Sequence, residues 1–556
     1  MKRFTNILIA LVLIANSISA QVSPNHYLIN FTDKNNSTYS INNPQEFLSQ
    51  RAINRKSRYN ISIDLKDIPV NKSYIDSLKK LGLKIINVSK WLNSATVYST
   101  DIALIDTIDK ISFVKSVGIE KKSNKIKTEN TLEKKSIGKS TTDTVNSNYF
   151  DYGISLNQSQ MLNGNLLHNE GFRGEGMQIA ILDAGFYKVN ELPAFDSLRI
   201  NNQILGVWDF VDGDNQVYDA DTHGMKVLST MAGNISGQLI GTAPKAKYWL
   251  LRTEQGASEY IIEEHNWVVA AEFADSAGVD VINSSLGYND FDDNINSHTY
   301  QEMDGNSTII TIGADIAASK GILVVTSAGN EGFSSWQYIT APADADSVLT
   351  VGAVTPEKTI AYFSSLGPTS DKRIKPDVCA QGMPAVVEGS GGEISYANGT
   401  SFSSPIMAGM VTCLWQAHPE LNNMQIIDAV KRSANKYSKP DTIYGYGIPD
   451  FYAAHLYLKS SGLIDVKKTD FLNVYPNPFK NSFNVEFIAK SINPPFDLEF
   501  SVYNFLGSKL LFHRSISTQN NYTAAKIDLN NNFTKGLYIF QIKANNLIMQ
   551  KKLLKM

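Results

Sequence analysis

Five apolar runs with almost no polar alternation constrain this chain more than any other feature: Met177 to Leu182, Lys247 to Leu251, Val279 to Asn283, Ile322 to Thr326 and Val348 to Val351. A strand that is apolar at successive positions must be covered on both faces, and the helix-length segments between the runs supply the covers. Right-handed crossovers then give an α/β fold, a doubly wound and mainly parallel sheet. Such sheets bind ligands beyond the carboxyl ends of their strands, so reactive groups are expected just after each run.

The rest of the 556 residues exceeds one core and divides by composition. Residues 1–20 read as a secretory signal peptide: Lys2-Arg3, an apolar stretch from Ile7 to Ala15, then small and polar residues to Ala20. That stretch is shorter than the roughly 20 residues a bilayer requires, and no later segment offers a transmembrane span. Residues 21–118 alternate short strands and helices: His26 to Phe31 extended, Pro44 to Arg55 and Ser73 to Leu81 helical, Lys84 to Val88 and Ala95 to Tyr98 extended, Ile102 to Ile108 helical, Phe113 to Val117 extended. This pattern suits a small α+β domain. Residues 119–148 are rich in Lys, Ser, Thr and Asn and read as an exposed, cleavable linker. Residues 149–462 carry the five runs. Residues 465–556 carry six short β-rich segments, from Phe483 to Leu553, enough for a small β-sandwich.

With 43% hydrophobic and 19% charged residues and a net charge of -3, the chain is globular and lacks the basic footprint of a nucleic-acid binder. Its two cysteines, Cys379 and Cys413, provide no disulfide framework in an exported protein; two buried thiols are favoured over one bridge.

Four residues fall where the sheet should expose its working edge. Asp183 directly follows the first run. His223 stands in Asp221-Thr222-His223-Gly224-Met225, ahead of a segment with apolar periodicity. Asn330 follows the fourth run in Ser327-Ala328-Gly329-Asn330, and Ser401 lies in Gly399-Thr400-Ser401-Phe402-Ser403-Ser404-Pro405 before a nearly uncharged helix. Taken singly, each suits a cap or turn. Jointly, they are a carboxylate, an imidazole, an amide donor and a hydroxyl, the groups a serine nucleophile requires. The proline is expected in the first turn of its helix, where backbone donors lack partners anyway.

On these blocks, residues 149 to about 460 resemble the subtilisin-like serine peptidases, the subtilases. The resemblance implies Ser401 as nucleophile, His223 as general base and acid, Asp183 as the carboxylate that orients the imidazole, and Asn330 with the Ser401 amide as oxyanion donors. It also implies that Ser285-Leu286-Gly287 and Ser327-Ala328-Gly329 bind an extended protein or peptide substrate. The chain departs from the family pattern at Met225 and Lys226. The segment Gly233 to Gly241 is short where many subtilases carry a calcium loop, so no cofactor is expected and calcium is not carried over. Asp290, Asp292, Asp293 and Asp304, in an insertion from Asn289 to Ser307, read as a solvated loop rather than a cation site.

The first domain has the size and layout of a subtilase propeptide, which would make the chain a zymogen with its own intramolecular inhibitor. Through Tyr475-Pro476-Asn477-Pro478 and Gly536-Leu537-Tyr538-Ile539-Phe540, the last region resembles the sorting domain of the Bacteroidetes type IX secretion system. That implies engagement of the outer-membrane secretion machinery and a secreted or cell-surface destination. The reading is a secreted serine endopeptidase; the alternative is a catalytically inactive, surface-displayed binding protein with the same fold. An esterase is disfavoured, because no Gly-x-Ser-x-Gly surrounds Ser401.

Overall fold

Each of the five apolar runs becomes a strand of one parallel sheet in the computed structural model, which describes residues 21–119, 148–460, 471–475, 479–488, 495–505, 509–518, 522–529 and 533–555. The expected signal peptide and nearly all of the expected linker lie outside these residues. The described chain falls into two compact units, the first reaching Ala454 apart from residues 169–171, the second formed mainly by residues from His455 onward.

The first unit opens with an antiparallel sheet of β1 (Gln21–Ser23), β2 (His26–Phe31), β3 (Lys84–Ser89), β4 (Ser94–Tyr98) and β5 (Val114–Val117). It runs in the order β1-β2-β4-β3, with β5 also on β2. Its helices are α1 (Gln50–Arg58), α2 (Lys72–Lys80) and α3 (Ile102–Ile108). The helix expected from Pro44 is displaced: Pro44–Glu46 is a single 3-10 turn, and α1 starts only after Ser49, whose side chain accepts the Ala52 amide. A cap that satisfies an orphan N–H decides where a helix can begin.

The main sheet contains β6 (Gln178–Asp183), β7 (Ile204–Asp209), β8 (Lys247–Arg252), β9 (Val281–Ser284), β10 (Leu323–Ser327), β11 (Leu349–Val354) and β12 (Val378–Gln381). They stand in the order β12-β11-β10-β9-β6-β8-β7, all parallel. The two strands without an apolar run in the sequence, β7 and β12, are its edges. Helices α4 (His223–Ala232), α5 (Ile262–Ala277), α6 (Ile309–Ser319), α7 (Thr400–Ala417) and α8 (Asn423–Ser433) cover it. Residues 400–415 of α7 are all buried, as their lack of charge requires. Cys379 and Cys413 are buried free thiols.

The first domain docks on α5 through buried polar bonds rather than apolar contact alone. Glu272 accepts the Ser89 hydroxyl and the amides of Lys90 and Trp91, at 2.7 Å and 2.9 Å for the amides. Arg55 pairs with Asp275 at 2.5 Å, and Lys56 bridges Asp275 and Asp67 at 3.1 Å and 3.0 Å.

The second unit is a sandwich of two antiparallel sheets. Strands β13 (Phe471–Tyr475), β14 (Ser482–Ile488) and β17 (Tyr522–Asp528) form one; β15 (Phe496–Asn504), β16 (Leu510–Thr518), β18 (Gly536–Ala544) and β19 (Leu547–Lys555) form the other. Alternate residues such as Phe483, Val485, Phe487, Leu498, Phe500, Val502, Phe540 and Ile542 share one core. Strand β13 is one more than the six segments expected. Among the described residues, no helix is long and apolar enough to cross a membrane.

Candidate active site

Asp183 ends β6 at the carboxyl edge of the sheet and is fully buried. His223 is the first residue of α4, and its Nδ1 lies 2.7 Å from Asp183 Oδ1. The glycine after it is required by this approach: a Cβ on Gly224 would lie 2.4 Å from the Gly185 carbonyl oxygen and 2.9 Å from Asp183 Cβ. The His223 side chain remains 31% exposed, so one ring nitrogen is fixed by Asp183 while the ring still reaches the cleft. Burial works against the charged imidazole, but the Asp183 carboxylate outweighs it, with Glu254 and Asp221 adding to the same effect, and the pKa rises to about 9.

Ser401 is the second residue of α7 and only 8% exposed. Its N–H is therefore one of the first-turn donors without an intrahelical acceptor, at the positive end of the helix. The Phe402 ring lies 6.2 Å from that of His223, which brings the start of α7 beside the imidazole. In this arrangement Ser401 Oγ donates to the Ser285 carbonyl at 3.3 Å. Pro405 does not lie in the first turn as expected but in the second, at the position whose N–H would have bonded the Ser401 carbonyl. The Ser285 hydroxyl takes that place at 2.8 Å.

Asn330 Oδ1 accepts both the amide and the hydroxyl of Thr400 at 2.9 Å, which leaves its NH₂ as the group able to donate to a substrate oxygen. Of the six residues expected to bind substrate, Gly287 is exposed, whereas Ser285 and Leu286 are 4% and 5% exposed. Ala328 is already committed on both sides: its amide bonds Val351 at 3.0 Å and its carbonyl accepts Thr340 at 3.3 Å. The Gly329 carbonyl likewise accepts the Ser365 amide, and the Ser327 hydroxyl reaches the Leu286 carbonyl. The Ala328 amide is therefore taken, while its carbonyl accepts one bond and keeps a second lone pair. A strand ending gives no sign of which of its carbonyls the next loop will claim.

Two positioning residues were missed. Asn283, in the fully buried β9, donates to Ser285 Oγ at 3.0 Å and accepts from Ser404 Oγ at 2.9 Å, tying α7 to the sheet. An amide inside an apolar run was the signal available. Glu254, two residues beyond β8, helps raise the His223 pKa through its charge.

Residues 174–447 match the Subtilase family. Subtilisin NAT of Bacillus subtilis subsp. natto is 30% identical over 309 residues, which cover 54% of this chain and 70% of that protein. The chain belongs to the subtilase family. Subtilisin of Bacillus pumilus is also 30% identical over 309 residues, here 98% of its length. This subtilase shares its fold with a mutant of the epidermin leader peptide processing serine protease of Staphylococcus aureus: TM-score 0.50 at 18% identity, over 77% of this chain and 98% of the other. Residues 26–136 match a Peptidase S8 propeptide domain of Bacteroidota, extending into the segment expected to be linker. Residues 473–556 match a secretion system C-terminal sorting domain. The subtilase is thus a serine endopeptidase made with a propeptide and a secretion tail.

Proposed function

We propose that Ser401, His223 and Asp183 carry the reaction, with Asn330 as an oxyanion donor. The observation that supports this most is the 2.7 Å bond between His223 Nδ1 and Asp183, because it fixes the tautomer that leaves Nε2 free to take a proton. When a peptide carbonyl enters the cleft, the Ser401 hydroxyl turns from Ser285 to His223 and loses its proton to Nε2 as Oγ attacks. The negative oxygen receives hydrogen bonds from the Asn330 NH₂ and the Ser401 amide. His223 then passes its proton to the leaving amine, and water repeats the sequence to free Ser401 from the acyl group. Gly287, exposed after β9, would pair with the extended substrate backbone.

The propeptide holds the site inactive until cleavage between residues 120 and 149, and the tail directs the chain through the outer-membrane secretion machinery to the cell surface or the medium. Purified wild-type zymogen should convert to a chain whose first residue lies in that interval, whereas Ser401→Ala should stay whole. Equal conversion of both would contradict the reading.

A further inference from the structure

We propose that Glu254, Glu259 and Glu263 form a binding site for a hard divalent cation of the calcium class at the edge of the sheet beside Asp183 and His223. Glu254 and Glu259 lie in the loop after β8, and Glu263 lies in the first turn of α5. One oxygen from each carboxylate falls within 4.8 Å of the others. Calcium holds oxygens at about 2.3–2.6 Å, so ligands on opposite sides of one ion stand up to about 5 Å apart, a limit the three oxygens meet.

Two buried polar groups point to a ligand independently of that spacing. Glu263 is 2% exposed; one of its oxygens takes only the Gln255 amide at 3.2 Å, and Oε2 is buried with no hydrogen-bond partner. Tyr288 is fully buried, its hydroxyl has no partner, and it sits in the field of Glu254, Glu263, Glu259 and Glu264. A carboxylate left unsatisfied beside two more carboxylates, with an unsatisfied phenol in their field, is costly for a bare protein, and a cation held by the three carboxylates would relieve them. Among the described residues, no lysine, arginine or histidine forms an ion pair with any of the three glutamates.

Without an ion, three carboxylates this close together repel one another. Asp292 adds a fourth carboxylate nearby, accepting the Glu259 amide at 3.1 Å. Glu263 also lines a cavity of about 300 Å³ together with His26 and Lys84 of the propeptide. An occupied site would brace the loop that carries Glu254 against the insertion that carries Asp292.

The test uses the full-length Ser401→Ala zymogen, stripped with chelator and titrated with calcium chloride by calorimetry, with thermal unfolding followed in parallel. The expected result is calcium binding with a rise in Tm, and a loss of affinity of about tenfold or more at one site in both Glu263→Gln and Glu259→Gln. Because each substitution removes one of three repelling carboxylates, both variants should be at least as stable as the parent in chelator, which separates a lost site from a damaged fold. Absence of calcium binding in the parent, or the same affinity and Tm rise in the two variants, would overturn the proposal.

Discussion

The Ser285 hydroxyl donates to the backbone carbonyl of Ser401 at 2.8 Å, filling the bond that Pro405, four residues further on, cannot make. The Ser401 peptide unit is thus anchored from β9 rather than from its own helix. Asn283 holds Ser285 in turn, and Ser404 holds Asn283, so the start of α7 is positioned by a short polar chain within an apolar core.

If that anchor matters, Ser285→Ala in the Ser401→Ala zymogen should lower stability by about 1–3 kcal/mol, the cost of a buried acceptor left unpaired. Pro405→Ala restores a helical N–H for the same carbonyl. In that background the Ser285 substitution should cost less by about 1 kcal/mol, a coupling that denaturant unfolding of the four proteins measures. Additive costs would mean the two groups do not serve one acceptor.

Asn330→Ala should reduce kcat by about 100- to 1000-fold with little change in KM, the magnitude known for the equivalent donor in subtilisin. Thr400→Val should give a smaller loss in the same direction, because Asn330 keeps its NH₂ but loses the hydroxyl that orients it. Steady-state kinetics on a peptide ester distinguish the two effects.

The ionisation of His223 gives a pH dependence of defined sign. Its pKa in the fold, about 9, exceeds the ordinary 6.5. The charged imidazole is therefore favoured by folding; that contribution is complete below pH 6.5 and is lost as pH rises through about 9. The Ser401→Ala zymogen should lose stability across this window, and His223→Gln should flatten that part of the curve. Catalysis requires the neutral ring, so kcat/KM should rise with pH, and Asp183→Asn should move the midpoint down while cutting kcat by about 10⁴-fold.

Arg55 reaches Asp275 from the propeptide with only 4% of its side chain exposed, and Lys56 shares the same carboxylate. Asp275→Ala leaves the buried Arg55 without its carboxylate and Lys56 with Asp67 alone, and should destabilise the zymogen by about 3–5 kcal/mol. Maturation should accelerate accordingly, as followed by gel shift over time. An unchanged rate would show that docking on α5 does not limit release.

Much of this was legible in the sequence because buried parallel strands announce themselves: β6, β8, β9, β10 and β11 all coincide with apolar runs. The edges did not, since Ile204–Asp209 is only half-buried and Val378–Gln381 is four residues long. Asp183, His223, Asn330 and Ser401 come together at one edge because each follows a strand or starts a helix there. What the sequence hid were bonds between distant segments: Ser285 to Ser401, Thr400 to Asn330, and the backbone commitments of Ala328. Spacing along a chain reports periodicity, not which loop will claim a given carbonyl. Glu254, Glu259 and Glu263 were hidden for the same reason, being an unremarkable run of acids until α5 turned one of them inward.

The central claim is that Ser401 is a nucleophile activated by His223. A fluorophosphonate probe applied to the processed enzyme, followed by peptide mass spectrometry, tests it most directly. The account predicts a single adduct on the peptide carrying Ser401, absent in Ser401→Ala and strongly slowed in His223→Ala. Correctly processed wild-type protein that takes up no probe, or takes it up on another residue, would contradict it.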